Sequence, residues 1–260
     1  MKLYLKKYRG YFIDLDGTMY KGGESIPSAV AFVKELSKRD IPYLFLTNNA
    51  AKTQEEIAKQ LRAYGILCHE KHVFTSAMAT AQVICEEKRN ASVYMIGESG
   101  LACALKAQGI IFDANHPDYV VIGLDRKLTY EKLVLGALAI RKGAKFISTN
   151  GDLAIPTERG FVPGNGSLTS VLQMSTGVDP LFIGKPEHPI MEQALKVLGT
   201  TREETLMVGD NYRTDIMAGL KFGMDTLCVF TGVTSKEDLQ KEKVQPTYCV
   251  DVLTDWIKHL

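Results

Sequence analysis

The sequence predicts an α/β fold in which a doubly wound parallel sheet is interrupted by an inserted α/β domain. Short apolar runs alternate with helix-length segments along the whole 260-residue chain, which is typical of parallel sheets. Four of these runs end in polar residues, and such exits suit the carboxyl edge of a parallel sheet. About 135 residues (50–184) separate the second exit from the third, far more than a simple crossover needs, and about a hundred of them could form an α/β unit of their own. We therefore expect a Rossmann-like core with a second α/β unit inserted into it.

Each element has its own local signal. Pro27 suits the first turn of a helix that runs to about Arg39. Thr53 and Glu56 have the spacing of a capping box, which opens a helix ending near Gly65. The strands are predicted at 11–15, 43–46, 73–74, 93–96, 119–122, 146–148, 181–183, 206–208 and 227–230. Further helices are predicted after residue 76, up to about 108, and over 129–142 and 167–176.

The long stretch between the second and third polar exits predicts the domain organisation. Residues 1–78 and 182–260 are predicted to form the Rossmann-like core, and residues 79–181 the inserted α/β unit. An insertion at an exposed loop is tolerated where the flanking chain ends lie close together.

Composition excludes several classes of protein. The 31 basic and 30 acidic residues give a net charge of +1, which argues against nucleic-acid binding through a broad basic face. No apolar stretch approaches the roughly 20 residues of a membrane span, and the N-terminus lacks the shape of a signal peptide. The five cysteines are widely spaced, with no Cys-x-x-Cys pair, as in a reduced protein. We therefore expect a cytoplasmic protein with neither a nucleic-acid nor a membrane partner.

A short cluster of Cys68, His69 and His72 has two interpretations. It could hold a metal ion, or it could be a loop with incidental polar residues. The second interpretation is favoured because no matching ligand cluster occurs elsewhere in the sequence.

The most informative segment is Asp14-Leu15-Asp16-Gly17-Thr18, which ends the first strand. Side chains alternate along an extended backbone, so Asp14 and Asp16 point to one side. Two carboxylates this close repel each other unless a cation or a shared proton intervenes, and Mg²⁺ suits oxygen ligands. A polar strand-to-turn exit, with Gly17 giving a permissive backbone, would account for the same residues.

Three other exits match it. The run Thr47-Asn48-Asn49 follows the second strand, Lys185 follows 181–184, and Gly209-Asp210-Asn211 follows 206–208, with Asp215 one turn later. If the four strands share one sheet, their carboxyl ends converge on one crevice.

A phosphate monoester would suit such a crevice, and position suggests the roles. Asp14 is the candidate nucleophile, giving an aspartyl-phosphate. Asp16 can protonate the leaving alcohol and later deprotonate the attacking water. Asp14, Asp210 and the Asp16 carbonyl would hold Mg²⁺. Asp215 could orient Asp210 or a metal-bound water, and Lys185 would neutralise charge on the nucleophile and the phosphoryl group.

Donors for the phosphate oxygens are also available. We expect backbone N–H groups of 15–17 and the side chains of Thr47, Asn48 and Thr18 to bind them.

The four exits, in this order, resemble the four motifs of the haloacid dehalogenase superfamily. Leu46-Thr47-Asn48-Asn49 is similar to the second motif of its NagD-like and para-nitrophenyl-phosphatase-like branch, which carries a large α/β (C2-type) cap between its second and third motifs. The segments 119–125, 149–152 and 163–166 also resemble cap segments of that branch. The resemblance implies a Mg²⁺-dependent phosphatase of small phosphorylated metabolites, such as sugar phosphates or nucleotides, whose cap sets specificity.

Several alternatives stay open at this point. The Asn-Gly pair in Thr149-Asn150-Gly151-Asp152 indicates a turn after a strand, whereas the family resemblance implies that Asn150 or Asp152 contacts the substrate. A sugar phosphomutase, or a non-catalytic phosphometabolite-binding or regulatory protein, would retain the same fold. An exposed cap surface could pair two chains as a homodimer.

Overall fold

A computed structural model describes residues 6–260 of the chain. The strands are β1 Gly10–Ile13, β2 Tyr20–Lys21, β3 Glu24–Ser25, β4 Tyr43–Thr47, β5 Val73–Thr75, β6 Ser92–Ile96, β7 Ile111–Phe112, β8 Tyr119–Ile122, β9 Lys145–Ser148, β10 Ala154–Thr157, β11 Gly160–Pro163, β12 Leu181–Phe182, β13 Thr205–Gly209, β14 Asp225–Val229 and β15 Tyr248–Val250.

The α-helices account for most of the remaining regular structure. They are α1 Pro27–Lys38, α2 Gln54–Ala63, α3 Ser76–Glu87, α4 Ser99–Ala107, α5 Tyr130–Arg141, α6 Asn165–Thr176, α7 His188–Leu198, α8 Met217–Phe222 and α9 Lys236–Leu239. Short 3-10 helices cover Glu70–His72 and Leu253–His259, and a π-helix covers Tyr212–Ile216. Within residues 6–260, no helix has the length and apolar character that crossing a bilayer requires.

The described residues divide into two compact units. The first comprises the described part of Met1–Thr47 together with Ile57–Phe74 and Ala194–Leu260, and the second comprises Asn48–Glu56 and Thr75–Gln193. The boundaries predicted from the sequence, with a core of 1–78 and 182–260 around an insert of 79–181, remain a prediction.

The first unit is built on a six-stranded sheet. Its strand order is β15-β14-β13-β1-β4-β5, and β1 pairs in parallel with both β13 and β4. All residues of β1, β4 and β13 are buried, and most of them are apolar, as expected where a sheet is covered on both faces. In the core, the Tyr11 ring packs edge-on against Phe32 at a centroid separation of 5.6 Å.

The second unit has its own five-stranded sheet in the order β12-β9-β8-β6-β7. Every pairing in it is parallel, and a separate antiparallel hairpin joins β10 to β11. Its core includes Ile96, Val120 and Leu172, all fully buried. The predicted fold class, a parallel α/β core with an inserted α/β cap domain, is confirmed.

The structure corrects one expectation about the four polar exits. Three of the preceding strands, β1, β4 and β13, do share the first sheet, but β12 pairs with β9 in the second sheet. A two-residue apolar strand carries no information about which of two parallel sheets it joins. The convergence expected from four strands of one sheet therefore holds for three of them.

Candidate active site

Three predicted residues lie at the carboxyl ends of neighbouring strands in the first unit. Asp14 follows β1, Thr47 ends β4 and Asp210 follows β13. The register pairs Ile13 with Val208 and with Phe45, so the three strands end at nearly the same level. This is the edge at which open α/β sheets bind ligands.

Asp14, Asp210 and Asp215 form a carboxylate cluster. One oxygen from each lies within 4.8 Å of the other two. Asp14 is half-buried, whereas Asp210 and Asp215 are buried. Asp16, predicted to bind the metal through its backbone carbonyl, has an exposed side chain that is not one of these three carboxylates. Close, buried carboxylates of this kind are unfavourable without a counter-charge, and hard oxygen ligands suit a hard divalent cation.

Asp210 is held by donors on both of its oxygens. Thr18 Oγ1 donates to Asp210 Oδ1 at 2.9 Å, and the Val233 N–H donates to Asp210 Oδ2 at 2.7 Å. Since Thr18 is fully buried, the expectation that it donates to a phosphate is wrong: its hydroxyl orients Asp210 instead. The Gly17 N–H, also expected to face a phosphate, donates to the Tyr20 carbonyl at 2.8 Å.

Two glycines make room for this carboxylate. A Cβ on Gly17, where φ is +85°, would lie 2.3 Å from Asp210 Oδ2. A Cβ on Gly232 would lie 1.8 Å from the same oxygen. The loop of residues 231–234 therefore approaches Asp210 with its backbone. This loop was not predicted from the sequence, although Gly232, three residues beyond the end of β14, was an available turn signal.

Asp215 is placed by an irregular helix. It lies within the π-helix, where the Ile216 N–H bonds the Asn211 carbonyl at 3.3 Å, and π-helical turns are frequent at functional sites. Its Oδ2 accepts the Asn211 N–H at 3.1 Å. A Cβ on Gly209 would lie 2.3 Å from the Asp215 Cβ, so this glycine allows the carboxylate to sit close to the strand end.

Asp16 is adjacent to a small hairpin that the sequence analysis also missed. Tyr20 begins β2 and donates its hydroxyl to Asp16 Oδ2 at 3.1 Å. Burial, followed in effect by the Asp16 carboxylate, raises the pKa of the Tyr20 phenol above its usual range. The phenol is therefore a stable hydrogen-bond donor.

The second unit gathers four other predicted residues into one polar network. Asn48 Nδ2 donates to Asp152 Oδ2 at 3.1 Å and to the Lys185 carbonyl at 2.9 Å. Asn150 Nδ2 donates to the Asn48 carbonyl at 2.9 Å. These bonds connect Asn48, Asn150, Asp152 and the backbone of Lys185. Their predicted roles in substrate binding, and the catalytic role of Lys185, remain predictions.

Asn49, Gly184 and Asn165 shape the same region of the second unit. Asn49 Oδ1 accepts the N–H groups of Ala51 and Lys52, both at 3.0 Å. A Cβ on Gly184 would lie 2.5 Å from Asn48 Oδ1. Asn165, which the sequence analysis did not select as a site residue, is buried and donates to the Asn150 carbonyl at 2.9 Å. The two N–H groups bound by Asn49 Oδ1 show that the Asn49 side chain closes a local turn over residues 49–52.

Among the described residues, Cys68, His69 and His72 do not form a metal-binding group. His69 and His72 bracket a short 3-10 helix, and the His69 N–H donates to His72 Nδ1 at 3.4 Å. The preference for a polar segment without a metal ion stays a prediction.

Comparison with known proteins agrees with this geometry. Residues 11–111 match the family described as haloacid dehalogenase-like hydrolase, and residues 182–256 match HAD-hydrolase-like proteins. The chain is 57% identical over 256 residues to 5'-nucleotidase YutF of Bacillus subtilis, covering 98% of this chain and 100% of that protein. It is 53% identical over 257 residues to the acid sugar phosphatase of Staphylococcus saprophyticus, covering 98% and 99%. A solved structure of a mutant thermostable p-nitrophenylphosphatase from Bacillus stearothermophilus is 56% identical, with a TM-score of 0.89 and coverage of 97% and 99%.

The parallel sheet with carboxylates at adjacent strand ends defines an α/β protein with a candidate ligand-binding edge. The comparisons then give its family: the chain belongs to the haloacid dehalogenase-like hydrolases. The predicted family, in its NagD-like and para-nitrophenyl-phosphatase-like branch, is confirmed, and so is the predicted enzyme class, phosphoric monoester hydrolase.

Proposed function

We propose that this chain is a Mg²⁺-dependent phosphatase that hydrolyses small phosphomonoesters through an aspartyl-phosphate. The observation that carries this proposal is the approach of Asp14, Asp210 and Asp215 within 4.8 Å at the carboxyl edge of one sheet. The named activities of the relatives favour sugar phosphates or nucleotides as substrates, and p-nitrophenyl phosphate as an assay substrate.

The residues present fit a Mg²⁺ ion. The donor set consists of carboxylate oxygens, and Mg²⁺ prefers such hard ligands. Asp210 already has its orientation fixed by Thr18 and Val233, and fixed ligands favour binding. We assign Asp14, Asp210 and the Asp16 carbonyl as ligands, with Asp215 orienting the site. When bound, the ion would offset the negative charge of the carboxylates and of the phosphoryl group.

The protein's own residues carry the chemical steps. An Asp14 oxygen attacks phosphorus, and the bond from phosphorus to the leaving alcohol breaks. Asp16 gives its proton to that alcohol oxygen. Asp16 then takes a proton from water, the water oxygen attacks phosphorus, and inorganic phosphate leaves with Asp14 regenerated. The exposed position of Asp16 supports its role in exchanging protons with a substrate and with water.

The remaining assignments depend on the family resemblance. Lys185 neutralises charge on the nucleophile and the phosphoryl group, and Thr47 and Asn48 bind phosphate oxygens. Asn49, Asn150 and Asp152 complete the substrate-binding set.

The decisive experiment replaces the nucleophile. Asp14→Asn should lower turnover of p-nitrophenyl phosphate by at least about 10³-fold while circular dichroism and the melting temperature stay close to wild type. Acid-quenched wild-type enzyme should carry a phosphoryl group on the peptide containing Asp14. Asp40→Asn is the matched control, because Asp40 is exposed with a φ of 53°, a conformation that asparagine tolerates.

Other outcomes identify the alternatives. Retained activity in Asp14→Asn would remove Asp14 from its role. Transfer of labelled phosphate to a second sugar, instead of release, would favour a mutase. Absence of turnover across a phosphate-ester panel with Mg²⁺ would favour a phosphometabolite-binding protein.

A further inference from the structure

We infer that Tyr20 is a positioning residue for Asp16: its hydroxyl holds the Asp16 carboxyl group in the orientation that delivers a proton to the leaving group. The inference rests on the proposed function, since it concerns the same reaction. It starts from the hydrogen bond that Tyr20 Oη donates to Asp16 Oδ2 at 3.1 Å.

Exposure makes a positioning contact necessary. The Asp16 side chain is exposed, so close packing restrains its rotamer less than it restrains the rotamer of a buried side chain. General acid catalysis requires the acid within about 2.6–3.2 Å of the atom that it protonates. A donor held by its own element adds a directional restraint on the carboxyl group.

Tyr20 is held by its own element. Its carbonyl accepts the Gly17 N–H at 2.8 Å, and an isolated β-bridge joins it to Asp16. Tyr20 then enters the hairpin of β2 and β3, whose two-residue loop is Gly22-Gly23, with φ values of 58° and 92°. Positive φ at both loop positions is the signature of the tight turn that matches strand twist.

The ring of Tyr20 is restrained as well. It packs on the ring of Tyr64 with a centroid separation of 5.2 Å. The Tyr20 hydroxyl is thus fixed from its backbone, from its hairpin and from its ring. Because Tyr20 is held in place, its hydrogen bond restrains the orientation of the Asp16 carboxyl group.

Leaving-group dependence distinguishes positioning from a general structural role. A good leaving group such as p-nitrophenolate departs with little proton transfer, whereas an alkoxide needs the proton. The constant kcat/KM reports the reaction through its first irreversible step, in which the leaving group departs. Loss of positioning should therefore affect an alkyl phosphate more than p-nitrophenyl phosphate, and a general disturbance should affect both alike.

The test compares Tyr20→Phe with Tyr64→Phe on glycerol phosphate and p-nitrophenyl phosphate, each with saturating Mg²⁺. Tyr20→Phe keeps the ring, and we expect kcat/KM to fall about tenfold for glycerol phosphate and less than about twofold for p-nitrophenyl phosphate. Tyr64→Phe keeps the ring contact, and both constants should stay near wild type. Melting temperatures of both variants check the fold.

Three results would overturn the inference. Equal losses on the two substrates would assign Tyr20 a general structural role, and unchanged constants would show that Asp16 needs no positioning by Tyr20. Equal selective losses in Tyr64→Phe would assign the effect to the aromatic pair. A wild-type enzyme that turns over neither substrate would instead refute the proposed function, and the role of Tyr20 would fail with it.

Discussion

Replacing Gly232 with alanine should disturb the carboxylate cluster proposed to bind Mg²⁺, through a single added methyl group. The new Cβ would lie 1.8 Å from Asp210 Oδ2 and 2.3 Å from its Cγ. Non-bonded heavy atoms are normally at least about 3.5 Å apart. The new Cβ and Asp210 Oδ2 must therefore move about 1.7 Å further apart. Asp210 is fully buried and has little space in which to move.

The separation removes a hydrogen bond as well. Val233 follows Gly232 directly, and its N–H bonds Asp210 Oδ2 at 2.7 Å. Such a bond to a charged group is worth about 1.5–3 kcal/mol, and overpacking costs a further ~1–3 kcal/mol. Part of the strain relaxes, so we expect a loss of about 2–4 kcal/mol in the free energy of unfolding. Displacing a ligand's hydrogen-bonding partner should also weaken Mg²⁺ binding by about 10–100-fold.

The assay is calorimetric titration of Mg²⁺ with parallel denaturant unfolding. Gly136→Ala is the matched control, because its Cβ would meet only the ends of flexible side chains, Ile96 Cδ1 at 3.3 Å and the Leu172 methyl groups at 3.5 and 3.6 Å. It also gains helix propensity of up to about 1 kcal/mol. Wild-type Mg²⁺ affinity in Gly232→Ala would refute the argument that the glycine makes room for Asp210. Loss of stability with unchanged affinity would show that the loop supports the fold and not the ligand.

Three further predictions concern stability and reactivity. Mg²⁺ at a hundredfold excess over Kd should stabilise the wild type by ~2.7 kcal/mol and so raise its melting temperature. In a thermal scan, Asp210→Asn should lose most of that rise. An unchanged melting temperature of the wild type would contradict the metal assignment. Burial raises the pKa of Cys68 and of Cys228 to about 12, so with Ellman's reagent near pH 8 both should react only after unfolding, whereas exposed Cys103 reacts in the native state; rapid native labelling of Cys228 would contradict its burial. Burial, with smaller effects of His69 and Lys71, lowers the pKa of His72. The contribution of neutral His72 to stability is therefore complete above about pH 6.5 and is lost as the pH falls through the lower pKa of the folded state. On acidification the melting temperature of His72→Gln should fall less than that of the wild type, and an equal fall would show that His72 does not contribute to the acid sensitivity.

Much of the fold followed from local sequence signals, because those signals act over a few residues. Thr53 and Glu56 form the predicted capping box, with reciprocal bonds of 2.7 and 3.2 Å. The strands before Asp14 and Asp210 are apolar runs that the structure buries in adjacent positions of one sheet. Their carboxylates meet because parallel neighbours end on the same edge.

The missed features depend on backbone groups or on long-range pairing. The bond from the Val233 N–H to Asp210 leaves no side-chain signal in the sequence. The pairing of β12 with β9 is a choice between two parallel sheets that a two-residue strand cannot specify. The hairpin of β10 and β11 contains Pro156 and exposed residues, a composition that demotes a strand prediction.

The electrostatics of the carboxylate cluster explain why so much of the loop structure is devoted to one residue. Two unit charges no more than 4.8 Å apart repel by at least about 3.5 kcal/mol at an effective dielectric of about 20. A free side chain would rotate away from such repulsion. Asp210 is held in place by Thr18, by the Val233 N–H and by the space that Gly17 and Gly232 leave. A Mg²⁺ ion bound by these carboxylates, as proposed above, would offset that repulsion, and part of its affinity would come from the free energy so released. On this argument, the residues that confine Asp210 contribute to metal binding as directly as the carboxylates do, although they touch no metal themselves.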